Sequence, residues 1–176
     1  TLAADRGSPH ALQQEGVERF WRRAMWLGLL FVVYGSLVPL TYRALPWSVA
    51  VERFGALWTT PPVLGSRIDL ASNVLLSMPL AFAAGQLWIA GRQGLWVWGR
   101  RALVVLGVLV VAMLVEFTQQ FFPPRTLSLT DIQAQTAGAV LALLVQWRWG
   151  RQTSDWLLGW WQRESAGMRI ERALRE

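Results

Sequence analysis

The chain has 176 residues, 53% of them apolar, with 17 basic residues against 11 acidic, a net charge of +6 and a mean hydropathy of +0.30. A chain that is both apolar and strongly charged must segregate the two along its length, which places it in the membrane class. The absence of cysteine excludes a disulfide framework and a thiolate metal site, and a single histidine, His10, argues against a His-based metal site or a Ser-His-Asp triad.

Twelve tryptophans are far above ordinary usage, and Trp21, Trp26, Trp88, Trp96, Trp98, Trp147 and Trp149 sit at the edges of apolar runs. An amphipathic ring prefers the headgroup layer, so they read as an aromatic belt rather than a cofactor box. Every basic residue is Arg, a compositional habit of the source genome before it is a functional signal. The chain opens on Thr1 rather than Met, so a few N-terminal residues are expected to precede it.

Residues 1–23 mix Gly, Ser, Pro, Gln and charge and close on Glu18-Arg-Phe-Trp-Arg-Arg23, the pattern of a cytoplasmic arm ending at a basic membrane stop. Ala24 to Leu40 is the first apolar segment, short but within the range of a span. A cleaved signal peptide is the rival reading, but the run exceeds a usual signal core and no small-x-small cleavage site follows. In the connection 41–67, Pro46 leads Trp47, Ala50, Val51, Phe54, Leu57 and Trp58 at helical spacing, which predicts a short interfacial helix ended by Thr59-Thr-Pro-Pro62. Ile68 to Ala90 is the second span, with Pro79 expected to kink it. A basic turn, 91–101, leads to the third span, Ala102 to about Phe122, and the fourth runs from Ile132 to Trp147. Residues 151–176 carry Trp156, Leu157, Trp160 and Trp161 and then Arg163, Arg169, Arg172 and Arg175, an amphipathic basic tail suited to anionic lipid. The predicted fold is an all-α polytopic bundle of about four transmembrane helices with interfacial helices, its membrane domain covering 24–150.

Every arginine except Arg43, Arg53, Arg67 and Arg125 lies in the arm, the 91–101 turn or the region after the fourth span. Positive residues stay cytoplasmic, so both termini are expected inside and the loops 41–67 and 118–131 outside. Between those loops the pattern Ser66-x-x-Asp69-x-x-x-Asn73 recurs as Ser128-x-x-Asp131-x-x-x-Gln135. Duplication would give two helical hairpins about an axis along the membrane normal; coincidence is the competing account.

The polar residues of this outer end form the candidate site. Glu116, Gln119 and Gln120 share one helix face, with Glu116 about 9 Å inside the third span. An acid at that depth usually faces the protein interior or a wet cavity. Asp131, Gln135 and Gly138 share a face of the fourth span, Asp69 and Asn73 a face of the second, and Arg67 and Arg125 stand at the mouth. One reading is a pocket whose arginines hold a phosphate, with Glu116 or Asp131 available as a base. The other makes Ser66/Asp69 and Ser128/Asp131 capping boxes, and Glu116/Arg125 and Asp69/Arg67 internal ion pairs. Glu116 stands at the wrong end of its helix for capping. Tyr34 and Ser36 are weaker candidates, since a Tyr in an apolar helix is commonly a packed ring with one hydrogen bond.

The residues Ser36-Leu-Val-Pro39, Asp69-x-x-x-Asn73 with Pro79, and Glu116-Phe-x-Gln119…Pro124-Arg125…Ser128-x-x-Asp131-Ile…Gly138 resemble the VanZ-like family of small bacterial membrane proteins. The resemblance covers about 28–145 and implies a bundle of four to five helices in the bacterial cytoplasmic membrane. Its named member is associated with teicoplanin resistance by a route that leaves peptidoglycan termini unaltered, and it brings no established catalytic residues. The family block falls on Glu116, Gln119, Arg125 and Asp131, and Gln135 departs from the Asn usual there.

Three functions are open on these grounds. The first is a cell-envelope protein whose outer pocket binds or modifies an anionic lipid or lipid-linked wall precursor. The second is a structural or accessory subunit of a larger membrane complex. The third is an enzyme, for which no nucleophile, metal site or cofactor motif is recognisable. No cofactor or nucleic-acid partner is expected; membrane lipids and other membrane subunits are the expected partners.

Overall fold

The computed structural model describes residues 9–59, 61 and 66–173. Residues 1–8, Thr60, Pro62 and Arg175 fall outside the described residues, as do the side chains of His10, Trp161, Arg169 and Arg172. Among the described residues there are five helices and no strand: α1 (Pro9–Leu37), α2 (Trp47–Ala56), α3 (Arg67–Trp88), α4 (Trp96–Gln119) and α5 (Leu129–Ala173).

Local chemistry explains the boundaries. α1 ends before Pro39, and α2 starts directly after Pro46, whose ring presets the entry. Ser66 and Asp69 form a capping box at the start of α3, the side chain of each accepting the backbone N–H of the other. α3 ends where Gly91 takes a left-handed φ of 73° and Gly94 one of 93°.

Two predicted boundaries are absent. The charges at 18–23 do not end a helix, because Arg22 and Glu18 pair along it at 2.7 Å and no Pro interrupts 10–37. Likewise the fourth span and the tail are one helix, since Gly150 and Gly159 weaken α5 without breaking it. α3 also continues through Pro79 to Trp88.

α3 packs most extensively against α5 and then against α1, while α4 closes on α5. Small residues allow the close approaches. A Cβ on Gly138 would sit on the Val74 carbonyl oxygen and Ser77 Oγ, and one on Gly28 would lie 2.9 Å from the Leu80 backbone. Val32, Leu80, Ala84, Val108, Ala139 and Ala142 form the core between them. The partner pairs Val74–Gly138 and Gly85–Leu143 make α3 and α5 parallel, whereas Gly28–Leu80 and Gly35–Leu76 make α1 and α3 antiparallel.

The outward faces are apolar too. Leu27, Leu30 and Phe31 on α1, Leu106 and Leu114 on α4 and Leu141 and Leu144 on α5 are all exposed, as expected where the solvent is lipid. α3 and α4 are long and apolar enough to cross a membrane. The apolar helical stretch of α1, 24–37, rises only about 20 Å. In α5, Gln133, Gln135 and Gln146 interrupt the apolar run, so neither helix meets the same measure.

Candidate functional site

The end of α1, the starts of α3 and α5 and the end of α4 meet at one end of the bundle. They surround a cleft of about 510 Å³ lined by Gly35, Ser36, Asp69, Ser72, Asn73, Leu76, Gln119, Pro124, Arg125, Thr126, Ser128 and Asp131. Five of the nine predicted site residues thus share one cavity: Asp69, Asn73, Gln119, Arg125 and Asp131.

Glu116 does not line it. It is fully buried beneath the wall, where one carboxylate oxygen accepts the Ser128 N–H at 2.9 Å and the other has no hydrogen-bond partner. This changes the second capping site. Ser128 Oγ still lies 3.3 Å from the Asp131 N–H, but the Ser128 N–H, which Asp131 would hold in a full box, goes to Glu116. The α4 carboxylate therefore caps α5, and the Asp131 carboxylate keeps only a 3.2 Å bond from Ser128 Oγ and a bond from Asn73.

Arg125 lies at the exposed rim without a carboxylate partner. Its Nε donates to the Val38 carbonyl at 2.8 Å and Nη2 to the Gly35 carbonyl at 3.4 Å, which pins the loop after α4 to the end of α1. The expected Glu116/Arg125 and Asp69/Arg67 pairs are not formed; among the described residues Arg22–Glu18 is the ion pair observed. Arg67 is exposed at the first position of α3 and outside the cleft.

The amides divide their work. Gln119 Nε2 donates to the Ser36 carbonyl at 3.1 Å, fastening α4 to α1 at the cleft wall. Gln120 turns away, its Nε2 3.2 Å from the Ala50 carbonyl of α2. There Trp47 and Phe54 pack their rings against Phe117 at 5.1 and 5.5 Å. Gln135 is fully buried below the cleft and donates to Asn73 Oδ1 at 3.3 Å. Asn73 and Gln135 hold the corresponding places in the two Ser-x-x-Asp patterns.

Ser72, Thr126 and the wall residues Gly35 and Leu76 were not among the predicted site residues. Ser72 had a signal, since Asp69, Ser72 and Asn73 fall at i, i+3 and i+4 on one face. Thr126 had none, because the path of the loop after Pro124 sets its place. Chemically, the cleft offers carboxylates and amides from α3, α4 and α5 and a guanidinium at the rim, enough to orient a ligand carrying hydroxyls and an anionic group. Among the described residues no group of acidic or His side chains is arranged to hold a metal ion.

The sequence model of the VanZ/LLP1 family matches residues 18–150, a span that takes in all of α2, α3 and α4 and every residue of the cleft. No curated protein and no solved structure matches the chain.

Proposed function

This chain belongs to the VanZ/LLP1 family, and from that membership we propose that it is a bacterial cytoplasmic-membrane protein whose outward-facing cleft binds the head of an anionic lipid or lipid-linked wall precursor. The observation that carries this reading is that Asp69, Asn73 and Asp131 line one cavity together with Arg125. Carboxylates and amides accept sugar or glycerol hydroxyls, and a guanidinium takes a phosphate by charge-assisted bonds. Four membrane crossings, by α1, α3, α4 and the first half of α5, put the cleft at the outer surface under the arginine distribution. No step of catalysis is assigned. A role in glycopeptide tolerance follows if the bound lipid is a wall precursor.

Native mass spectrometry of the protein extracted from its own membranes tests this. The expected result is a monomer or small homo-oligomer carrying a phosphorylated lipid, with Asp131→Asn and Arg125→Gln each lowering occupancy roughly tenfold, the worth of one hydrogen bond to a charged group. Full retention by both variants sinks the reading.

A second reading, an accessory subunit of a larger complex, draws on α5. At 45 residues α5 is about 67 Å long, more than twice the hydrocarbon core, and Trp156 and Trp160 are exposed on its distal half. A stoichiometric heteromeric assembly in the same spectrum, without lipid, would favour it.

A further inference from the structure

At the opposite end of the bundle, the turn between α3 and α4 and the middle of α5 enclose a second cleft, of about 460 Å³. We propose that it is a separate binding site for a phosphate ester anion, supplied by an anionic lipid headgroup. Arg92 from the turn, Arg101 from α4 and Arg151 from α5 all line it, and no acidic side chain does. Asp155, one turn beyond Arg151 on α5, forms no ion pair among the described residues. Three guanidinium groups around one cavity repel one another unless an anion is present, and their fork geometry suits phosphate oxygens.

The surroundings hold the central cation ready. Arg101 lies over the Trp98 ring at 4.8 Å and over the Trp147 ring at 5.3 Å, and its buried Nε has no hydrogen-bond partner. Two indoles thus fix the guanidinium plane without neutralising it. The first turn of α4, with Val97 and Trp98 in the wall, adds the positive end of a helix dipole. The opposing negative end of α3 is already occupied, since Arg100 Nη1 donates to the Trp88 carbonyl at 2.8 Å. Gln146, 5% exposed in the same wall, keeps an unpartnered Oε1, an acceptor for a ligand hydroxyl. Trp96 and Trp98 are exposed alongside, the depth at which headgroups lie.

The experiment uses the full chain in phosphatidylcholine nanodiscs, titrated with phosphatidylglycerol and read by native mass spectrometry and by tryptophan quenching with brominated phosphatidylglycerol. One phosphatidylglycerol retained at this cleft is expected, besides any held by the outer cleft, with Arg151→Gln, and separately Arg101→Gln, weakening it roughly tenfold or more. Arg125→Gln, at the other cleft, should leave that lipid in place, so failure here and failure of the outer cleft are distinguishable. Displacement of the lipid by millimolar glycerol 3-phosphate, or binding of that ester alone, would assign the same phosphate chemistry to a soluble source. Circular dichroism checks that each variant is folded, and Arg151 is exposed, so its change leaves the packing intact. Equal lipid retention by wild type, Arg101→Gln and Arg151→Gln overturns the proposal, as does the absence of both ligands from wild type.

Discussion

Glu116 joins two helices through a single hydrogen bond, from the Ser128 N–H at 2.9 Å, and no water-exposed surface compensates it. Removing the carboxylate leaves a partly buried backbone donor unsatisfied and opens a cavity, so Glu116→Ala should cost about 3 kcal/mol. Glu116→Gln retains an acceptor oxygen and should cost less than half of that. Intrinsic tryptophan melting of the purified variants reads the difference directly. Equal melting temperatures would mean that the bond to Ser128 contributes nothing. For the same reason Glu116→Ala is a poor probe of ligand binding, and Asp131→Asn, whose side chain lines the cleft, is the better one. The importance of Glu116 was legible in the sequence as an acid deep in an apolar run. Its partner was not, because helical spacing says nothing about a loop that folds back across twelve residues to present a backbone N–H.

At the scale of helices, Gly138 sets how closely α5 approaches α3. A methyl there meets the Val74 carbonyl and Ser77 Oγ, backbone and short side chain that cannot swing away. Ser77 Oγ also donates to the Gln135 carbonyl at 2.7 Å, so displacing it breaks a second tie between the helices. Gly138→Ala should therefore destabilise the protein by about 3 kcal/mol. Gly55 in α2 has nothing within 4 Å of the same methyl, and Gly55→Ala should be neutral or stabilising by up to about 1 kcal/mol. The two substitutions differ in context alone, and thermal melting that shifted them equally would refute the close α3–α5 contact. Gly138 was recognisable beforehand as a small residue on a polar face. The lengths of α1 and α5 were not: a run of charges marks where a helix leaves apolar surroundings, and Glu and Arg are themselves good helix formers that let it continue.

For the molecule as a whole, the number of membrane crossings turns on α1 and α5, since α3 and α4 qualify by length and composition while the apolar stretch of α1 is short and that of α5 carries amides. Alternation of hydrophobicity sufficed to place five helices, but the depth of each depends on what the bilayer tolerates at Gln135 and Gln146, and buried hydrogen bonds, such as that from Gln135 to Asn73, lower that cost in a way composition cannot register. The chain has no cysteine, so single cysteines report their own side without background. Gln14 and Tyr42 flank the apolar part of α1, Thr126 and Arg163 that of α5, and all four are exposed. With four crossings and cytoplasmic termini, a membrane-impermeant maleimide should label Tyr42→Cys and Thr126→Cys in intact cells. Gln14→Cys and Arg163→Cys should react only after permeabilisation. If instead Gln14→Cys reacts together with Tyr42→Cys, and Arg163→Cys together with Thr126→Cys, then α1 and α5 lie along the surface and only two helices cross. The cleft around Asp131 would then keep its side but lose its lipid walls, and the proposed lipid ligand with them.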